Sequence, residues 1–492
     1  IDEGLVGSEM CIRDRYMILS TMGGMRSDDG TPIALGHHTG HFELGMLIKT
    51  AAEQIQEMGG VPYTAYCSDP CDGRSQGTSG MMDSLPYRND AAIVMRRLSR
   101  SIPTTKGVLG IATCDKGLPA MMMALAGTPD KPTIIMPGGV TLAVENGEDT
   151  AKIQSIGSRF AQNEVTLEYA QDMGCKSCAS PGGGCQFLGT AGTSQVVAES
   201  LGMTLPHAAL TPSGTNLWID TGRRSAIALK NLIDKNIKTK DILTSKAFEN
   251  AMIVHAACGG STNLILHLPA VAHAVKENIM KVEDWIRINK LTPRLVDVLP
   301  NGPIGFPTSV FFSSGGVPEV MLKLRNEGLL NLDVITSTGL TLKENLDWWE
   351  QSEKRDFVRK QLRNTRNIDP EDVVHSLKNS KKKNMTSTVT FPKGNISPEG
   401  SVVKSTAIDK TVIDDDGVYR KIGPARIFIS EADAIKAVKD KGENGVKAGD
   451  IMVIVCGGPK GTGMQEVAQI TIALKYLSYG KEVALILSLI HI

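Results

Sequence analysis

The chain has 492 residues, of which 41% are hydrophobic, and its 53 basic side chains balance 53 acidic ones. Such a length suits two or three domains, and a balanced charge gives no ground for a nucleic-acid or acidic-membrane partner. No apolar run reaches the roughly 18 residues that a membrane-spanning helix needs. In chain order, the segment 1–15 and the tail 487–492 read as non-native, adapter-like sequence and are set aside together with Cys11. Phe42 to Met58 has the spacing of an amphipathic helix, closed by Gly59-Gly60. Gly107 to Thr113 reads as a short buried strand and Leu118 to Leu125 as a helix, with Cys114-Asp115-Lys116 in the turn between them. Pro132 to Met136 is another apolar strand, and Ala191 to Leu201 is a helix that follows a glycine-rich loop.

This alternation predicts an α/β fold, a parallel sheet covered by helices on both faces. Ligands of such sheets gather beyond the carboxyl ends of the strands, which is where Cys114 falls. The charged stretch from Glu350 to Asn384 reads as a solvated helix and linker. After it come short strands at Thr386 to Phe391, Ser401 to Ile408 and Ile451 to Val455. The expected division is therefore an N-terminal α/β domain over 16–384 and a β-rich, barrel-like, truncated C-terminal domain over 385–486.

Nine cysteines are too sparse for a disulfide scaffold, and no secretory signal is visible. The expectation is a reducing cytoplasm, where clustered cysteines bind metal or do chemistry. Three loops carry them: Cys67-Ser-Asp-Pro-Cys71-Asp72-Gly73, Thr113-Cys114-Asp115-Lys116 and Gly182-Gly183-Gly184-Cys185-Gln186. Two of these place an aspartate directly after a cysteine. Soft thiolates suit iron–sulfur clusters and hard carboxylates suit magnesium, so one site with both donors can seat a cluster beside a divalent cation. Three thiolates on a four-iron cluster would leave one iron open as a Lewis acid. Cys258, in an apolar helical stretch, reads as a core residue. Cys175 and Cys178 form a CxxC pair with no second pair at zinc-ribbon spacing.

At these loops the chain resembles the dihydroxy-acid dehydratase / 6-phosphogluconate dehydratase family. CDGRSQGTSGMMDSLPYR (Cys71 to Arg88), TCDKGLPAMMMA (Thr113 to Ala124), GGGCQFLGTAGTSQ, CGGSTNLILHL (Cys258 to Leu268) and GGPKGTGMQE (Gly457 to Glu466) carry the resemblance. The wording GHHTGHFELG and YCSDPCDGR is most similar to the family's D-xylonate dehydratase branch. The resemblance implies a hydro-lyase that turns an aldonic acid, D-xylonate foremost, into a 2-keto-3-deoxy acid, with no net redox change. It implies an iron–sulfur cluster, 4Fe-4S favoured over 2Fe-2S, on Cys71, Cys114 and Cys185. It also implies a magnesium ion among Asp72, Asp115, Lys116 and Glu466, with Lys116 carbamylated, since an ammonium has no lone pair for a cation. Asp115 and Lys116 would act in catalysis, and the assembly would be a homodimer or homotetramer.

Two departures stand out. Many members carry a cluster cysteine in a Cys-Asn-x-His motif, where this chain reads His38-Thr39-Gly40-His41. The role passes to Cys71, with Cys67 in reserve. The family's general-base serine, in an Asp-x-Arg-Phe-Ser-Gly stretch after the strand Glu482 to Ile486, has no counterpart, so the chain as given is expected to be inactive. His41 reads either as a helix-start histidine satisfied by backbone or as a substrate contact. Ser261 and Thr262 read as helix caps or as ligands of substrate oxygens. Two other readings compete: a thiol oxidoreductase using Cys175 and Cys178, and a non-enzymatic zinc- or cluster-binding module. Neither needs the carboxylate and lysine that follow Cys114.

Overall fold

The computed structural model describes residues 13–37, 41–142, 148, 150–176, 182–458, 463 and 467–487. The chain forms two compact units. The first comprises 1–69, 89–142 and 178–389, and the second 70–88, 143–177 and 390–492.

The first unit is built on a parallel sheet of four strands: β1 (Arg15–Ser20), β2 (Val61–Tyr66), β3 (Thr105–Ala112) and β4 (Thr133–Pro137). Their spatial order is β2-β1-β3-β4. Arg15, set aside with the leading segment, opens β1 and pairs with Val61.

Between β1 and β2 runs α1 (Leu44–Glu57). Its buried Leu44, Leu47, Ile48, Ala51 and Ile55 recur at helical spacing and form one apolar stripe. That stripe shares a core with Tyr16 and Ile18 of β1, Leu109 and Ile111 of β3, and Ile134 and Met136 of β4. These strand residues alternate, so they belong to one face of the sheet. Trp218 and Leu229 of α4 (Asn216–Asp234) complete this layer. On the opposite face Gly110 of β3 lies against Met121 and Leu125 of α2 (Gly117–Ala126). With both faces covered, β3 and β4 read as the short apolar runs expected from sequence, whereas β1 and β2 were not expected. Two further helices matter below: α3 (Thr190–Ser200), buried along its whole length, and α5 (Ser245–Cys258).

The charged stretch from Glu350 is no simple linker. It folds into the helices Glu353–Arg366, Pro370–Val373 and Leu377–Lys382. Val358, Arg359 and Leu362 are buried, and Arg359 reaches Glu319 at 3.2 Å and Glu371 at 2.6 Å. Internal pairing lets this polar sequence pack, whereas Lys381, Lys382 and Lys383 are exposed as expected.

The second unit holds a small parallel sheet in the order β7-β6-β5, from β5 (Ala425–Phe428), β6 (Ile451–Ile454) and β7 (Ala484–Leu487). Helices α6 (Glu431–Lys439) and α7 (Ala468–Lys475) bury Ala434, Val438, Ile470 and Leu474 with Met452 and Ile454. Leu487, the first residue of the tail set aside above, pairs with Ile454. The short strands Val389–Thr390 and Val403–Lys404 account for the β texture expected after residue 385. Early segments are tied in by hydrogen bonds from Gln469 to Gln76 and from the Leu85 amide to the Gly463 carbonyl.

Candidate active site

In the first unit the chain leaves β1 in one direction for β2 and returns past β1 to β3. The point where strand order reverses lies between β1 and β3, the position at which open α/β sheets place their ligands. Three successive strand exits deliver one buried side chain each: His41 after β1, Asp69 after β2 and Cys114 after β3. His41 Nε2 lies 3.2 Å from Cys114 Sγ, and its Nδ1 lies 2.8 Å from Asp69 Oδ1. The donor atoms of all three fall within 4.8 Å of one another.

Burial pushes the His41 imidazole down to about 3, so the ring is neutral near pH 7. Its Nδ1 therefore faces the Asp69 carboxylate as a neutral group and not as half of an ion pair. A neutral ring carries one N–H, so its two nitrogens cannot both donate, and Nε2 is the one that faces the thiol. The imidazole and the carboxylate together pack against the sulfur and limit where it can lie.

Cys114 adopts φ 66°, the left-handed region that a non-glycine residue enters at a cost of about 1–3 kcal/mol. Asp115 follows, and its Oδ1 accepts the Ala191 N–H at 2.8 Å, in the first turn of α3, where the helix dipole favours negative charge. Lys116, 1% exposed, precedes the first residue of α2. Cys185 is half-buried on the loop that enters α3. Gly184 and Thr113, the residues just before the two cysteines, are neighbours: a Cβ on Gly184 would lie 2.9 Å from Thr113 Oγ1. The structure thus brings the loops of Cys114 and Cys185 together.

Gly117 is essential to this packing. A Cβ there would sit 2.2 Å from Asp69 Oδ2, and the buried carboxylate has no room to retreat. We expect Gly117→Ala to destabilise the protein by about 1–3 kcal/mol through overpacking. Urea denaturation checks this, and an unchanged midpoint would show that Asp69 moves freely.

The remaining sequence-derived residues fall as follows. Cys67 is half-buried after β2, and its amide donates to the Ser20 carbonyl. Cys258 is buried at the end of α5, and burial pushes its thiol up, which makes it the inert core residue expected. Ser261 does not cap the helix Leu264–Val275, whose N-cap is Asn263. Instead its Oγ lies 3.0 Å from Thr190 Oγ1, and Asn263 Nδ2 donates to that same hydroxyl at 2.7 Å, pinning the start of α3 beside Asp115. Thr262 contributes its carbonyl to the following turn. In the second unit Cys71 is half-buried ahead of the one-turn helix Asp72–Ser75, and Ser84 Oγ lies 3.0 and 2.9 Å from the two oxygens of buried Asp72. Glu466 and Cys178 lie outside the described residues, and Cys175 falls in the helix Leu167–Lys176.

Sequence reasoning missed Asp69 and the pairing of His41 with Cys114. The available signal was an acidic residue inside the Cys67–Cys71 loop, overlooked because attention went to the flanking thiols.

Comparison with known proteins bears on the same residues. Residues 34–345 match the model described as dihydroxy-acid/6-phosphogluconate dehydratase N-terminal, and residues 372–487 match its C-terminal counterpart. The chain is 59% identical over 470 residues to D-xylonate dehydratase YagF of Escherichia coli, covering 96% of this chain and 71% of that one. It is 58% identical over 475 residues to D-xylonate dehydratase YjhG of the same organism, covering 96% and 72%. A dihydroxy-acid dehydratase of Picrophilus torridus is 34% identical over 451 residues, 89% and 74% of the two chains. With both family regions matched, and with the Cys-Asp-Lys triplet at the point where the sheet reverses, the chain belongs to the dihydroxy-acid/6-phosphogluconate dehydratase family.

Proposed function

We propose that this chain removes water from a sugar acid, D-xylonate foremost, to give the 2-keto-3-deoxy acid. The observation that carries the reading is the position of Cys114-Asp115-Lys116 at the strand-order reversal, with the Cys185 loop beside it, in a chain so similar to two D-xylonate dehydratases. We assign Cys71, Cys114 and Cys185 to an iron–sulfur cluster of the 4Fe-4S type, and Asp72, Asp115, carbamylated Lys116 and Glu466 to magnesium. The donor chemistry fits: a buried thiol in contact with an imidazole, and a carboxylate already anchored by a helix amide. When bound, these groups supply Lewis acidity at the leaving hydroxyl and at the substrate carboxylate.

The chain's own residues do the rest. Asp69 and His41 pack against Cys114 and limit where its sulfur can lie. Ala191 holds Asp115 in one orientation, so little reorganisation is left for the reaction itself. A reducing cytoplasm is the compartment we propose, because nine cysteines in 492 residues are too sparse for a disulfide scaffold. A homodimer or homotetramer is the assembly we propose.

The test is a chimera. Residues 13–487 replace the matching part of E. coli YagF, the protein is reconstituted without oxygen, and aldonic acids are screened for 2-keto acid. We expect D-xylonate to be the best substrate. No product from any sugar acid would overturn the reading.

A further inference from the structure

We propose that Gln195 is a positioning residue that braces the Cys185 loop, and that one face of α3 sets the spacing of the loops around the site. The proposal rests on the reading of Asp115 and Cys185 given above.

Residues 191, 195 and 199 are four apart and therefore share one face of α3. Between them they hold three loops, of which 207–210 is held by both Gln195 and Glu199. The Ala191 amide anchors Asp115. Gln195 is fully buried. Its Nε2 donates to the Gly139 carbonyl at 2.9 Å, and its Oε1 accepts the Leu210 N–H at 2.9 Å. Glu199 accepts amides of His207 at 2.7 Å and Ala209 at 2.8 Å.

The Gly139 carbonyl is the junction. It also accepts the Gly184 N–H at 2.9 Å, and the Gly184 carbonyl in turn accepts the Thr141 N–H at 2.9 Å. Gly182 is held from the other side, where Ser213 Oγ donates to its carbonyl at 2.8 Å. Gly183 has φ +88°, and a Cβ on it would sit 2.6 Å from the backbone of Val140 and Thr141, so this segment lies flush against residues 139–141. The position of the Cys185 loop is thus set by segment 139–141, which Gln195 fixes to α3.

Only a side chain with both a donor and an acceptor at the right reach meets the Gly139 carbonyl and the Leu210 amide together. Glutamine does so without charge. Methionine fills a similar volume and supplies neither bond, leaving two buried backbone groups without that partner.

The experiment is hydrogen exchange by mass spectrometry on the whole chain, with iron content measured after anaerobic reconstitution. Gln195→Met is compared with wild type, with Ser213→Ala and with Asn250→Leu. Asn250 is a clamp of the same design elsewhere in the unit, bonded at 2.8 Å to both the carbonyl and the amide of Asn331. We expect exchange over 139–141 and 182–186 to accelerate about tenfold or more in Gln195→Met and to rise in Ser213→Ala. Iron retention should fall in step, while Asn250→Leu leaves both at the wild-type level. If Gln195→Met does not fold, Ser213→Ala decides the same comparison. Unchanged exchange in the folded variants overturns the proposal, and so does equal acceleration in Asn250→Leu. A wild type that takes up no iron, yet shows the expected exchange pattern, removes the cluster assignment and leaves the brace standing.

Discussion

In the anaerobically reconstituted YagF chimera, Cys114→Ser is expected to reduce bound iron to background while leaving the fold intact. The substitution changes one atom on a buried side chain, so packing around β3 and α2 is nearly conserved. A serine hydroxyl is a hard, weakly acidic donor and a poor replacement for a thiolate on iron. Loss of several kcal/mol of Lewis-acid stabilisation, at 1.4 kcal/mol per decade, predicts that dehydration falls by on the order of a thousandfold or more. Iron analysis and circular dichroism on the same sample separate the two effects. Wild-type iron in the variant would sink the assignment.

Trp218→Ala should produce the largest loss of stability. Trp218 is fully buried among α1, β3, β4 and α4, and its Nε1 donates to the Gly138 carbonyl at 3.1 Å. Truncation opens a large cavity, which costs about 3–5 kcal/mol, and strands the Gly138 carbonyl, which adds about 1 kcal/mol or more. Trp218→Phe keeps one six-membered ring but loses the pyrrole ring with its donor, so its cost should be intermediate, about 2–3 kcal/mol. Urea denaturation of the three proteins gives the comparison. A Trp218→Ala protein within about 1 kcal/mol of wild type would mean that the core relaxes around the gap.

Much of the first unit was legible because its signals are local. The helix expected from Phe42 to Met58 is Leu44–Glu57, and the strand expected from Gly107 to Thr113 is Thr105–Ala112. Cys114 at a strand exit followed from the apolar run before it and the helical pattern after it. What sequence did not show is nonlocal. The contact of His41 with Cys114, and of both with Asp69, exists only once β1 has been inserted between β2 and β3. The discontinuity of the second unit was hidden for a similar reason: 70–88 and 143–177 carry no change in composition like the one after residue 385. The Glu350 to Asn384 stretch misled because charge was taken as a sign of solvent, whereas Arg355 and Arg359 are matched by buried Glu319.

The strand order has a consequence for biosynthesis. β1 emerges from the ribosome before either of its neighbours, and in the finished sheet it is flanked on both sides. Until residue 112 has been translated, one rim of that apolar ribbon lacks its pairing strand, which makes it a template for mispairing with other nascent chains. Slower translation between β1 and β3 should therefore lower recovery in the supernatant, and cooler growth or added chaperones should restore it.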